Sequence, residues 1–177
     1  MTTMARPTND MSVRRSVTVK TNAEHAFRVF TEGFDSWWPR SHHIGKSPMT
    51  RAVIEPFEGG RMYSEQVDGT TCPWGQITTW DPPRRFVFAW QITHEWGYEP
   101  DLAKSSEVEV RFTSESDGST RVDLEHRYFE RMGPGADVMR TGVGGEGGWG
   151  GLLKLFAEKA EQQELRQCAV VGVGDTL

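Results

Sequence analysis

Between Ala52 and Ile92 the chain consists of short runs of alternating character, cut apart by Gly59-Gly60, Asp68-Gly69 and Pro82-Pro83. Such punctuation suits tight turns and interrupts helices, so the stretch reads as a meander of antiparallel strands. Alternation predicts one face that collects Tyr63, Trp74, Trp80, Phe86, Phe88 and Trp90. Each ring on such a face buries ~150–250 Å², or about 4–6 kcal/mol as an upper bound at ~25 cal/mol/Å². A sheet with that face must be covered, and the rest of the chain has to supply the cover.

The covering elements are few. Ser12 to Lys20 alternates with Val13, Val17 and Val19 on one side and is predicted as a first strand. Thr21 or Asn22 offers an N-cap, and Ala23, Ala26, Phe27, Phe30 and Phe34 follow at helical spacing. That helix is expected to run to about Gly33, with a second helical turn over Asp35–Pro39. Arg40–Thr50 and Thr93–Ser105 read as loops. Ser106–Thr113 and Thr120–Tyr128 alternate as strands on either side of the Asp117-Gly118 turn. Gly142–Gly151 is glycine-rich but lacks the Gly-Lys-Ser/Thr ending of a phosphate loop, so it reads as a flexible approach to a helix. The helix is predicted from about Glu146 to Arg166, with Trp149, Leu152, Leu153, Phe156 and Ala160 as its apolar stripe. One domain over 12–166 is expected, between a disordered segment 1–11 and a flexible tail 167–177.

The totals exclude several classes. The 177 residues suit one domain with a sizeable core. Acidic residues outnumber basic ones by 25 to 20, which argues against a nucleic-acid binder. No apolar run approaches the ~20 residues of a membrane span, and Met1–Asp10 has no apolar signal-peptide core. Two cysteines, Cys72 and Cys168, make no disulfide framework, so a cytoplasmic setting is the expectation.

Only one long amphipathic helix is available to a one-sided sheet. The economical arrangement is an α+β fold in which a strongly curved antiparallel sheet wraps around that C-terminal helix, with the first helical pair plugging one end. The order of elements, together with Trp37-Trp38-Pro39, Gly59-Gly60-Arg61, Trp74-Gly75, Trp80-Asp81-Pro82-Pro83, Trp90-Gln91 and Leu124-Glu125-His126-Arg127, resembles the START-like helix-grip (SRPBCC) superfamily. It is most similar to the bacterial branch related to the C-terminal domain of the ninety-kilodalton heat-shock-protein ATPase activator. The resemblance covers roughly Ser12 to Gln163. It implies a cavity between sheet and long helix that holds lipids, sterols, polyketides or other apolar molecules, and that serves catalysis in some members. It also implies a chaperone as a partner. The eukaryotic activator engages that chaperone through a separate N-terminal domain, and nothing before Ser12 has the length for one.

The expected ligand lining is Trp38, Tyr63, Glu65, Trp74, Phe88, Trp90, His126 and Trp149. By alternation His126 shares a face with Val122, Leu124 and Tyr128, where an imidazole either contacts a ligand, acts as a base, or simply bonds a core neighbour. Glu65 on the face of Tyr63 would have a raised pKa and serve as a general acid; on the other face it is an exposed strand residue. The glycines at 147, 148, 150 and 151 place little side-chain volume at the helix start. An opening is therefore expected near them, bordered by His42-His43 and the Thr93–Pro100 loop. No Cys-x-x-Cys, His-Glu-x-x-His or Gly-x-Ser-x-Gly occurs, so no metal, cofactor or nucleophile is assigned. The reading is a binder of a small apolar or amphipathic molecule, as a monomer or weak homodimer. The alternatives are an enzyme using the same pocket through His126 or Glu65, and a chaperone-activator-like interaction protein.

Overall fold

A computed structural model describes residues 11–173, with side chains as far as Gln162. Residues 1–10 and 174–177, where the disordered leader and the end of the tail were expected, lie outside the described residues. Among the described residues seven strands form one antiparallel sheet: β1 (Val13–Val19), β2 (Met49–Ile54), β3 (Arg61–Gln66), β4 (Thr71–Asp81), β5 (Arg85–Trp90), β6 (Ser106–Ser114) and β7 (Thr120–Arg127). Their spatial order is β1-β7-β6-β5-β4-β3-β2, a continuous meander with the first strand added beside the last. Four α-helices accompany them among the described residues: α1 (Ala23–Thr31), α2 (Phe34–Trp37), α3 (Ala136–Gly144) and α4 (Trp149–Val173).

The first helix starts where the capping signal placed it, with the Asn22 side chain accepting from the His25 N–H at 2.8 Å. It drives Phe27 and Phe30 into the sheet, while α4 lays Trp149, Leu152, Leu153, Phe156 and Ala160 against the same interior. All five are buried, so the long helix occupies the bend of the sheet as the stripe requires. It begins later than the predicted Glu146, because Gly145 and Gly148 still turn through loop hydrogen bonds. Its backbone remains helical to Val173, so part of the expected tail is helix.

Two bulges decide which side chains enter the core. On β4, Gly75 pairs with Trp90, Ile77 with Phe88 and Trp80 with Phe86, while Thr78 is an extra residue. Trp74 is likewise the unpaired residue between Gly75 opposite Met62 and Pro73 opposite Tyr63. A bulge lets one residue slip past its partner and exchanges the faces beyond it. Trp74, Ile77 and Trp80 all turn inward as a result, although strict alternation forbids it.

The same register corrects the expectation for Tyr63 and Glu65. On β3 the inward residues are Met62, Ser64 and Gln66, all buried. Tyr63 and Glu65 occupy the convex face. There Arg61 lies 5.0 Å from the Tyr63 ring centre, and Arg51 meets Glu65 at 2.8 and 3.1 Å.

The end of β7 and the segment after it also depart from expectation. The strand stops at Arg127; Tyr128 adopts φ 62° and is exposed, so it does not continue the face of His126. Helix α3 lies in a stretch for which no element was predicted, and it buries Met139 and Val143 one turn apart.

Candidate functional site

The interior is hollow at one end. A cavity of about 300 Å³ lies between β4 and β5 on one side and the start of α4 on the other. Trp38, Trp74, Trp90 and Trp149 frame it. Their rings form a closed circuit: Trp38 stacks on Trp74 at 5.6 Å and 13°, Trp74 meets Trp90 at 5.8 Å, Trp90 meets Trp149 at 5.6 Å, and Trp149 returns to Trp38 at 6.2 Å. Each indole is fixed by a different element. Trp38 closes α2, Trp74 fills the β4 bulge, Trp90 ends β5 and Trp149 opens α4.

The mouth is built from loops. His42, His43 and Ile44 line it from the segment before β2, Trp96 from the segment after β5, and Gly142, Gly147 and Gly148 from the junction of α3 and α4. His42 Nε2 donates to the Gly147 carbonyl at 3.1 Å, and Trp38 Nε1 donates to the His42 carbonyl at 2.7 Å. Arg15 reaches from β1 to the Gly144 carbonyl at 2.8 Å. The mouth therefore hangs on bonds to peptide oxygens. Trp96 stands half exposed at its edge with φ 62°, a left-handed conformation rare for a bulky residue.

Close packing explains why the space remains. A Cβ on Gly148 would lie 2.0 Å from the Val143 carbonyl oxygen, so no side chain fits there. Gly147 faces open space. Gly147 and Gly148 thus contribute only backbone to a wall that Ile44, Val143 and Leu152 complete with side chains.

Two polar atoms of the lining are buried with no partner among the described residues: Trp90 Nε1 and His43 Nδ1. Trp90 and Ile92 also form a partition with a second space of about 210 Å³ near His94, Glu99 and Lys104.

His126 stands behind this wall and does not line the cavity. The fully buried ring accepts from Trp149 Nε1 at Nδ1, 3.1 Å away, and lies 2.7 Å from Ser106 Oγ through Nε2. An indole N–H only donates, so Nδ1 carries no proton and Nε2–H is the donor to the serine. Burial pushes its pKa down to about 3. His126 is therefore a neutral ring with both nitrogens engaged, and it fixes the orientation of Trp149. Phe88 is also behind the frame, 6.0 Å from Trp74. Of the eight expected lining residues, four indoles meet at the cavity, Phe88 and His126 support them, and Tyr63 and Glu65 lie on the far side of the sheet. Gly142, Val143 and Ile92 were not anticipated; Met139 and Val143, spaced four apart, were the one sequence signal for the α3 wall.

The convex face is a lattice of charge. Glu109, almost fully buried, takes Arg85 at 2.6 Å, Arg127 at 2.9 Å and Arg111 at 3.0 Å. Burial alone would raise its pKa, but the three guanidinium hydrogen bonds outweigh that and hold it at about 2. Burial raises the pKa of the Cys72 thiol, which leaves it un-ionised near neutrality. No three histidine, cysteine or carboxylate side chains converge among the described residues, and no described helix is long and apolar enough to cross a membrane.

A curved seven-stranded antiparallel sheet closed over a long C-terminal helix defines the START-like helix-grip class. Within it, the chain belongs to the family described as activator of Hsp90 ATPase homolog 1-like protein, whose model matches residues 20–161. No curated protein matches. Among solved structures, the anthrahydroquino-gamma-pyrone synthase Txn09, determined as a complex, is 40% identical over 83% of this chain and 95% of its own, with a TM-score of 0.59. CalC of Micromonospora echinospora, a self-sacrificing resistance protein, is 33% identical over 87% of this chain and 96% of its own, with a TM-score of 0.61. Protein NE0264 of Nitrosomonas europaea, 16% identical over 86% of this chain and 95% of its own, shares the fold with a TM-score of 0.61.

Proposed function

We propose that this protein binds a small, flat apolar or amphipathic molecule in the cavity between its sheet and α4. The observation that carries the reading is the cluster of four indoles that lines a cavity of about 300 Å³. That volume is at the small end of ligand sites, which run from ~300 to 1,000 Å³ and combine apolar walls with a few polar groups. Aromatic walls favour a planar guest, because offset stacking and edge contacts each add ~0.5–1.5 kcal/mol beyond area burial. The product named for one relative, an anthrahydroquino-gamma-pyrone, supports a ligand of this kind.

A second reading, a ring-forming enzyme in the same cavity, is favoured by the 40% identity with the synthase. Neither group first considered for acid/base work suits it: His126 is buried with both nitrogens engaged, and Glu65 pairs with Arg51 on the convex face. His42 and His43 are the imidazoles at the cavity.

The test is titration with anthracene, monitored by tryptophan fluorescence and calorimetry. Saturable quenching is expected, and Ile44→Phe, which adds a ring to the mouth, should weaken binding at least about tenfold. Absence of saturable binding by anthracene and by anthraquinone alike overturns the reading.

A further inference from the structure

Six of the seven tryptophans are locked into the fold by other rings. Trp37 packs on Phe30, Trp80 on Phe27, and the four cavity indoles on one another. Trp96 is the exception. Its side chain makes no ring contact and no hydrogen bond among the described residues. It is 55% exposed, where the cavity indoles are 2–7% exposed, and yet it lines the same cavity at its mouth. The turn that carries it has a fixed base. The Thr93 N–H donates to the Gly97 carbonyl at 2.8 Å, the Trp96 N–H to the Thr93 carbonyl at 2.9 Å, and the Gly97 N–H to Thr93 Oγ1 at 3.0 Å. Ile92 and Tyr98 bridge just behind it. On this base Trp96 takes φ 62°, a left-handed conformation that suits glycine and penalises a Cβ. A glycine stands next to it in the chain, and still the strained position carries the bulkiest of side chains. An outlier held in place by its surroundings points to function. The indole has one resting place: a Cβ built on Gly142 would lie 3.9 Å from Trp96 Cζ2, so the ring lies across the bare backbone of α3. Glycine offers no side chain to grip it, so the ring is free to change rotamer.

We propose that Trp96 is a movable cover of the cavity: its indole swings from Gly142 over the mouth once a ligand has entered, and slows the ligand's release. The pinned turn stays as it is, and the side chain alone rotates. The driving force is the apolar area that the exposed indole and the outward edge of the ligand withdraw from water together. Ring contact with the guest adds to it. The inference rests on the binding reading above and extends it from occupancy to residence time.

The experiment has two readouts. In protein labelled with 5-fluorotryptophan, the fluorine resonance of Trp96, assigned with Trp96→Phe, carries an H2O/D2O isotope shift that reports its exposure. Most of that shift should vanish when anthracene or anthraquinone saturates the cavity. In stopped-flow displacement of bound anthracene by excess anthraquinone, Trp96→Gly should release its ligand about tenfold faster or more, with association changed by less than about threefold. Trp96→Phe keeps a ring on the same turn and should release within about threefold of the parent rate. An isotope shift that survives saturation, or equal release by Trp96→Gly and the parent, overturns the cover and leaves the cavity reading standing. Failure of both probes to bind overturns the two together.

Discussion

At the end of the interior beneath α1, Phe27, Phe30, Phe86 and Phe112 meet ring to ring at centre distances of 5.1 to 6.5 Å, with Phe156 of α4 closing over Phe30 at 4.9 Å. At the other end, four larger indoles pack at similar distances and yet border a void. Ring size does not make the difference; the material opposite the rings does. Against the phenylalanines come the side chains of α1 and α4. Against the tryptophans comes a glycine-bearing junction whose backbone is already in contact with itself. One end is a core and the other is a container with the walls of a core.

The strongest way to break that contrast is Phe86→Ala. Phe86 is fully buried at the solid end, so its loss should cost about 3–5 kcal/mol in urea unfolding, while anthracene affinity at the distant cavity changes less than roughly threefold. A large affinity loss with a small stability loss would make the two ends one unit. Next comes Gly148→Ala, expected to destabilise by about 1–3 kcal/mol through the clash with the Val143 carbonyl, whereas Gly147→Ala should stay within about 0.5 kcal/mol. Similar melting temperatures for the two variants would contradict the account of the open wall.

Acid sharpens the comparison further. His126, behind the hollow end, has a folded pKa of about 3 against 6.5 when unfolded. The unfolded chain therefore takes up a proton first, and stability should fall as pH drops below about 6.5. Glu109 is held at about 2 against an ordinary 4.5, so its contribution is intact above 4.5 and is lost as pH falls toward 2. A melting-temperature profile should show the first decline flattened in His126→Phe and only the second in Glu109→Gln. A His126→Phe profile parallel to the parent between pH 6.5 and 4.5 would contradict the neutral, buried ring. The smallest effect belongs to Glu65→Ala. Its partner Arg51 is exposed on the convex face, so ligand affinity should not change and the melting temperature should barely move.

Much of this architecture was legible. The punctuation of residues 52–92 dictated a meander, and the stripe Trp149–Ala160 dictated which helix the sheet would grip. Trp74 and Trp90 were legible because bulky rings on a one-sided sheet have to face its cover, and Trp149 because it opens the apolar stripe of that cover. Tyr63 and Glu65 were misplaced because parity carries across a sheet only while the register is regular, and the bulges at Trp74 and Thr78 break it. The inward residues of β3 include Ser64 and Gln66, whose polarity hides their burial; they bond to each other. Helix α3 was obscured by Gly133, Pro134 and Gly135 before it and by glycines at its end, and tertiary burial of Met139 and Val143 overrides those breakers. For His126 the face was readable, but its partners, Ser106 and Trp149, come from distant segments that no local pattern connects.

The rim of the cavity is tied by side chains that grasp peptide oxygens of Gly144 and Gly147. A carbonyl belongs to every residue type, so substitutions between Gly144 and Gly147 leave the knots in place, whereas loss of His42 or Arg15 unties them. The doorway can thus drift in sequence, and with it the outline of whatever passes through, while its fastening is inherited from two fixed anchors elsewhere in the chain.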